Sequence, residues 1–429
     1  TGDSYQPREF DTHFKYPEDE GSFHRATMRC VGVGKCRRTD DAFMCPSFIA
    51  TQDEKDSTRG RARTLFEMTR GTFDEDGWRS DAVRESLDLC LSCKGCKTDC
   101  PVSVDMATYK AEFLSHYYAG QMRTLYFYAM GFIDTWSKLA MLAPDVANFF
   151  SRVPPFSTMA KAFAGVSRQR ALPKFAKESF VHWFHRTQRK KKEGPPVVLY
   201  ADPFNNYFFP ETLEAAYRVL DRLGYRVMVP KKSPPGIRPL IHYGFLPRAK
   251  KNLRRVLAML RPYTTKGVPV IGVEPSTVSI FRDELPNLFP HDHDGRRTTM
   301  VTSMLSEFLD KEGVELPRVG GGAIFHGHCH QKAVLKKKAA RNVMRKMGID
   351  VMEPEQGCCG MAGSFGFEED HYDIAMTIGE NHLLPAVREA GEETRIIIEG
   401  FSCREQIMQG TRMEVRHLAE VIWEAMERK

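Results

Sequence analysis

No apolar run in these 429 residues approaches the roughly 20 that a helix needs to cross a bilayer. The longest candidate, Leu125 to Ile133, stops at Asp134, so no membrane span is expected. The chain also lacks a strand–GxGxxG–helix fingerprint, and it is not expected to hold a dinucleotide such as FAD itself. It opens Thr-Gly-Asp-Ser-Tyr, polar and partly acidic, with neither an initiating methionine nor a secretory apolar region. Two expectations follow: a cytoplasmic location with at most peripheral contact at the inner face of the membrane, and a chain that is a fragment or one half of a longer polypeptide, with a separate subunit left open. Blocks of like charge are scarce too. The formal charge of +7 is spread along the chain apart from one dense run, Arg186-Thr-Gln-Arg189-Lys-Lys-Lys192. Gly194-Pro195-Pro196 directly after it marks a solvated linker, and no nucleic-acid partner is expected.

Cysteine is what the chain does have, eleven in all. An odd count at ligand spacing, without a secretory signal, reads as metal-bound thiolate rather than a disulfide framework. The densest group, Cys90-Leu-Ser-Cys93-Lys-Gly-Cys96-Lys-Thr-Asp-Cys100-Pro101, has the spacing C-x2-C-x2-C-x3-C-P of a bacterial ferredoxin half. In that arrangement three close cysteines serve one cluster and the fourth, before proline, serves its neighbour. The expected ligands of a first 4Fe–4S cluster are therefore Cys90, Cys93 and Cys96, with Cys45 crossing over from upstream. Cys100 crosses back to join Cys30 and Cys36. That second set is short, because Val33 stands where a middle cysteine belongs. Three thiolates suit a 3Fe–4S cluster; a 4Fe–4S cluster with His24 as an added ligand is the other option. Gly32 and Gly34 let this loop approach the sulfides and aim backbone N–H groups at them. Arg59, Arg61 and Arg63 are candidates to offset cluster charge.

Along the chain, residues 1–25 read as an irregular junction and 26–115 as a helical domain holding both cysteine groups. Thr58 is expected to cap a helix there. Residues 116–195 form a helical connector ending in the basic linker. The aromatic run through Tyr109, Phe113, Tyr117, Tyr118, Tyr126, Phe127, Tyr128, Phe132 and Trp136 reads first as core. A face lying in a membrane interface or covering a quinone is the alternative. From 196 the pattern alternates strand and helix, a parallel α/β signature. Strands are expected at 197–200, 225–229, 323–325 and 349–352, with helices over 211–223 and 332–347. The same order occurs twice, Val219 to Pro230 lying over Val343 to Pro354 without a gap. The expected fold class is thus α plus α/β: an α-helical two-cluster ferredoxin domain, then a duplicated α/β unit over 196–429. Its first copy, 196–320, is stripped of cysteine and its second, 321–429, holds four.

Those four form a further constellation: His326-Gly-His328-Cys329-His330, then Cys358-Cys359-Gly360, then Cys403. Four thiolates from loops at strand ends suit zinc or an additional iron–sulfur cluster. His326, His328 and His330 are expected to hydrogen-bond the ligands rather than to be ligands.

The Cys-Cys-Gly pattern with one cysteine upstream and one downstream resembles the cysteine-rich (CCG) domain of heterodisulfide reductase and of glycolate and lactate oxidase iron–sulfur subunits. Members of that family typically carry it twice, ending C-x-x-C, whereas here the ending is Cys403-Arg-Glu-Gln406. Longer stretches, RCVGVGKCR (29–37), STRGRAR (57–63), VDMATYKAEFL (104–114), HGHCHQKA (326–333), GCCGMAGSFGFE (357–368) and GFSCREQI (400–407), resemble the C-terminal half of fused FAD-linked oxidases of the D-lactate/D-2-hydroxyglutarate dehydrogenase type. The resemblance implies an electron-transfer module of a 2-hydroxyacid dehydrogenase, with FAD on a partner domain or subunit and no catalytic residue on this chain. The implied acceptor is a quinone or a soluble carrier. The rival expectation is disulfide reduction at the CCG site, as in heterodisulfide reductases.

Overall fold

The computed structural model describes residues 9–39, 43–72, 77–188, 193–354 and 357–428. The basic positions Arg189 to Lys192 lie outside them. Around the first seven cysteines the chain forms short helices, Phe23–Met28, Pro46–Thr51, Thr58–Thr69, Asp81–Asp88 and Gly95–Asp99, with the cysteine loops between them. Ser57, not Thr58, caps the third of these, its hydroxyl accepting from the Gly60 N–H. The helix Met106–Tyr117 follows, capped by Asp105. The segment before residue 26, expected as an irregular junction, is packed against this part. Phe14 and Tyr16 are buried, Tyr16 against Phe23 and Tyr109, and the Glu112 carboxylate accepts from the His13 and Phe14 N–H groups at 2.8 and 2.9 Å.

The aromatic run divides. Tyr109, Phe113, Tyr118 and Tyr126 are core, whereas Trp136 is 47% exposed. After Gly131 the chain makes three short helices, Ile133–Ala140, Pro144–Arg152 and Phe156–Ala164. Each turns one side to the body and leaves large apolar side chains on the other. No helix among the described residues is long and apolar enough to cross a membrane.

The α/β part holds two parallel sheets. Strands β1 (Pro196–Leu199), β2 (Arg226–Met228), β3 (Val270–Gly272) and β4 (Thr302–Met304) lie in the order β2-β1-β3-β4. Strands β5 (Gly322–His326), β6 (Asp350–Met352) and β7 (Arg395–Ile398) lie in the order β6-β5-β7. In both, the first strand is central, with Val197 opposite Val227 in one and Ala323 opposite Val351 in the other. Val198, Leu199, Ile271, Phe325 and Ile397 are fully buried, the apolar run that parallel strands covered on both faces require. Such side chains contribute about 1.5–3 kcal/mol each. A helix follows the central strand in each sheet, Pro210–Arg222 in the first and Lys338–Lys346 in the second. The single helix expected over 332–347 is interrupted. A wide turn at Gln331–Leu335 comes first, and Lys336, at φ 73°, is in the left-handed region that no helix continues through.

His371 ties the two parts together. Its Nε2 lies 3.1 Å from Asp88 of the cysteine-loop part, and its Nδ1 lies 3.1 Å from Glu368. Burial opposes its protonation, but the hydrogen bonds to Asp88 and Glu368 prevail and push its pKa up to about 9. A group raised in this way stabilises fully below the ordinary histidine range, and the contribution fades as pH climbs through the folded value. His371→Gln is expected to cost on the order of 3 kcal/mol near pH 6, shrinking toward zero above about pH 9. Denaturant titrations across pH check this; a cost that does not vary with pH contradicts it.

Candidate metal centre

Residues with positive φ shape the cysteine loops. Gly32 and Gly34 flank Val33, and Ser92 and Lys94 flank Cys93 at φ 53° and 61°. Alternating left- and right-handed residues curl a loop so that successive N–H groups face inward, the concavity that sulfur and sulfide accept into. Val33 itself is 62% exposed, so the side chain in the place of the missing cysteine faces solvent. His24 is buried with Nδ1 engaged 2.7 Å from Thr69 Oγ1.

The seven upstream thiols gather into two neighbouring sets. Cys30 feels Cys36 and Cys100, and Cys93 feels Cys96 and Cys90. Cys45 stands between the sets: it is hydrogen-bonded to Cys36 and lies within the field of Cys96. Backbone donors already point at the sulfurs. The Thr58 N–H donates to Cys45 Sγ at 2.9 Å and the Arg59 N–H to Cys36 Sγ at 3.3 Å. The hydrogen bond with Cys45 draws Cys36 down to about 6, whereas burial, with Asp105 and Cys90 nearby, pushes Cys96 up to about 12. Seven thiols gathered in two sets, with backbone N–H groups aimed at Cys45 and Cys36, are the donor chemistry that an iron–sulfur assembly requires. Of the three arginines, Arg59 lies near Cys36 and Cys30 while paired to Glu54 at 2.7 Å. Arg61 is buried and structural, donating to Ser86 O at 2.9 Å and Ser47 Oγ at 3.0 Å, and Arg63 is exposed on Glu67.

The remaining four thiols sit where three parallel strands end: Cys329 after β5, Cys358 and Cys359 after β6, and Cys403 in the helix Phe401–Thr411 after β7. Carboxyl ends of open parallel sheets are where such folds place ligands. Cys329 Sγ is 3.7 Å from Cys358 Sγ, and Cys358 and Cys403 both hydrogen-bond Cys359. Those bonds hold Cys359 well below the ordinary thiol range, against the opposing effect of burial. A ring nitrogen of His326 lies within 4.8 Å of the Cys359 and Cys403 sulfurs, close enough for the three to share a metal ion. Its Nε2 has no hydrogen-bond partner among the described residues. His328 accepts from the His330 N–H at 3.2 Å and meets Ser402 Oγ at 3.4 Å. Gly360, at φ 84°, is obligatory: a Cβ there would lie 1.9 Å from Ala375 O.

The two metal regions adjoin. Cys93 lies in the field of Cys329, and Phe43 and Leu91 pack in one apolar cluster with Cys329 and Cys358. The loop that carries Cys93 is fixed to the 196–320 part by a group that the sequence pattern did not reveal. Lys94 Nζ lies 3.1 Å from Asp105, 2.6 Å from Asp283 and 3.5 Å from Glu284, all of them buried. Burial disfavours its charge, but the three carboxylates more than restore it. Glu284 also pairs with Arg238, whose Nε donates to Ser276 O at 2.8 Å. A lysine inside a ferredoxin motif, eleven residues before a helix-capping aspartate, was the available signal.

The first sheet's strand ends carry carboxyls in place of thiols. Asp202 follows β1 and Glu274 follows β3; burial pushes them up to about 6 and about 7. Glu274 Oε2 accepts from the Phe401 N–H at 2.8 Å, and Phe204 stacks on Phe401 with centroids 4.9 Å apart. The two sheets therefore meet through their carboxyl ends.

Residues 26–104 match the family model of the 4Fe-4S dicluster domain, and residues 323–408 match that of the Cysteine-rich domain. Each match covers about a fifth of the chain, and the curated proteins it is similar to are named as oxidoreductases or their iron–sulfur subunits. It is similar to the D-2-hydroxyglutarate dehydrogenase of Escherichia coli K12, 24% identical over 94% of this chain and 44% of that protein. It is similar to the glycolate oxidase iron-sulfur subunit of the same organism, 23% identical over 93% of this chain and 94% of the subunit. A subunit of the anaerobic glycerol-3-phosphate dehydrogenase of E. coli K12 is 24% identical over 70% of this chain and 76% of its own length. The chain spans less than half the length of the D-2-hydroxyglutarate dehydrogenases it matches.

Replacing Lys94 by methionine keeps the side chain's bulk and removes the one cation shared by three buried carboxylates, leaving Lys97 on Asp105 and Asp283 and Arg238 on Glu284. The expected cost is about 3–5 kcal/mol in denaturant titration. Glu284→Gln in the same chain should recover part of it, a non-additive pair. Additive losses contradict the network.

Proposed function

We propose that this chain is the iron–sulfur electron-transfer module of a flavin-dependent 2-hydroxyacid dehydrogenase of the D-lactate, glycolate or D-2-hydroxyglutarate type. The observation that carries the reading is the contiguity of its thiols. They run from Cys30, Cys36 and Cys100, past Cys45, to Cys90, Cys93 and Cys96, and on to Cys329 and its neighbours. Bound iron–sulfur clusters take up and release single electrons. In the proposed assignment Cys90, Cys93, Cys96 and Cys45 hold a 4Fe–4S cluster. Cys30, Cys36 and Cys100 hold a second, of 3Fe–4S type, with His24 left to its bond with Thr69. Cys329, Cys358, Cys359 and Cys403, with His326 at hand, hold a third iron–sulfur centre or zinc. The protein's contribution is to bury these sulfurs, aim N–H groups at them, and hold the loops rigidly in series.

The domain plan that goes with this is 26–115 for the two-cluster domain, 116–195 for the connector, and 196–320 and 321–429 for two copies of one α/β unit. The matching strand orders support the duplication. The expected partners are an FAD-bearing oxidase domain or subunit on one side and a quinone or soluble carrier on the other. The setting is the cytoplasm or the inner face of a membrane. The long similarity to D-2-hydroxyglutarate dehydrogenase supports the hydroxyacid class.

One observation favours a second reading. Cys329 and Cys358, 3.7 Å apart and buried, resemble a site for thiol–disulfide chemistry, as in heterodisulfide reductases. Iron and sulfide analysis with EPR separates the two. A centre whose spectrum shifts with a thiol substrate supports disulfide reduction, and an unresponsive one supports relay.

In the complete flavin-containing protein, Cys93→Ser should abolish acceptor reduction while substrate still reduces the flavin at its normal rate. Stopped-flow absorbance of the flavin is the measurement. Loss of flavin reduction in that variant contradicts the relay.

A further inference from the structure

Away from the cysteines, the fold gathers a second kind of metal-ligating group where the N-terminal segment crosses the helix Met106–Tyr117. Glu112 and His116 lie four residues apart on that helix and so share one face of it. His13 reaches them from the crossing segment, 99 positions from Glu112 in the chain. One ring nitrogen of each histidine and one Glu112 carboxylate oxygen all lie within 4.8 Å of one another.

Packing sets the three side chains before any ion arrives. Glu112 is fully buried and anchored from the segment: Oε1 accepts from the His13 N–H at 2.8 Å and Oε2 from the Phe14 N–H at 2.9 Å. His116 Nε2 lies 2.8 Å from Glu112 Oε1, and its ring stacks on Trp78 with centroids 4.3 Å apart. The His13 ring lies over the His116 ring, with centroids 5.4 Å apart. Contacts of this kind orient a ligand and hold it ready.

A purely structural pair explains Glu112 and His116, but it leaves His13 over. The His13 ring nitrogens have no hydrogen-bond partner among the described residues, although the residue is half-buried. Two imidazoles and one carboxylate are a set that zinc accepts, with water in the fourth position. Bonds of about 2.0–2.2 Å place tetrahedral ligands roughly 3.4 Å apart, which small side-chain rotations reach from the present spacing. His13 also lines an open groove with Pro247 and Lys250, a path by which an ion enters. The charge around it is mixed. Lys250 opposes a cation at His13, whereas Glu112 and Asp11 favour one.

We propose that His13, Glu112 and His116 bind a zinc ion that staples the N-terminal segment to the helix Met106–Tyr117. The site shares no residue with the cysteine regions and does not depend on the electron-transfer reading.

The test titrates the full chain, as purified, with Zn²⁺ and reads the zinc K-edge. One zinc should bind through nitrogen and oxygen alone, distinct from any held by sulfur at about 2.3 Å. His13→Asn and His116→Gln should each weaken that zinc at least tenfold, with iron and sulfide content unchanged. His116→Gln also removes the stack on Trp78, whereas His13→Asn leaves it, so the second variant separates loss of a ligand from loss of packing. Zinc should raise the melting temperature of the wild-type chain and leave that of His13→Asn unmoved. Zinc found only on sulfur, or wild-type zinc affinity in His13→Asn, overturns the proposal.

Discussion

One buried ammonium group sets the arrangement of this molecule. Lys94 sits between Cys93 and Cys96 and reaches Asp105 in its own domain and Asp283 and Glu284 in the α/β part. The three carboxylates share this amine, with Lys97 also on Asp105 and Asp283 and Arg238 also on Glu284, so the buried charges hold one another as a network. The ion network therefore fixes how the ferredoxin-type loop sits on the first sheet, and through Arg238 it extends to Ser276 beside a cavity. Because Cys93 directly precedes Lys94, the same network places its sulfur against Cys329. The positions of the metal regions relative to each other follow from a charge constraint, with His371 and its two carboxylates as a second clamp.

The α/β part shows what two similar sheets do when only one keeps its thiols. Parallel strands end in loops, and loops at carboxyl ends are free to vary without disturbing the buried strands. In the second sheet those loops bring four thiols and His326 together. In the first they present Asp202, Glu274, Ser276 and Arg238. These polar groups and the apolar side chains around them line or adjoin a cavity where a second metal site would otherwise face the first. The sheet without cysteine thus leaves room next to the one with four.

Much of this was legible in the sequence because it depends on spacing. The cysteine groups, the repeat from Val219 and Val343, and the strands at 197–200 and 323–325 all rest on local periodicity, which the fold preserves. The departures have physical causes. The 332–347 helix breaks at Lys336, whose left-handed backbone no apolar pattern reveals. The aromatic run was assigned to core because aromatic residues are usually buried, but exposure depends on which faces of three short helices find a partner. Lys94, His371 and the cavity were invisible, since each joins residues far apart in the chain, 283 positions for Asp88 and His371, and only the folded chain makes them neighbours.

The central claim is that the Cys90/Cys93/Cys96 region and the Cys329/Cys358/Cys359/Cys403 region form adjoining stations of one electron path. Its most direct test is EPR of the reduced, cluster-loaded protein. Paramagnetic centres this close interact, so the account predicts split, fast-relaxing signals from which one interaction is lost when Cys403 is replaced by serine, leaving that between the two upstream clusters. Signals that are already simple and independent in the wild-type protein would contradict it.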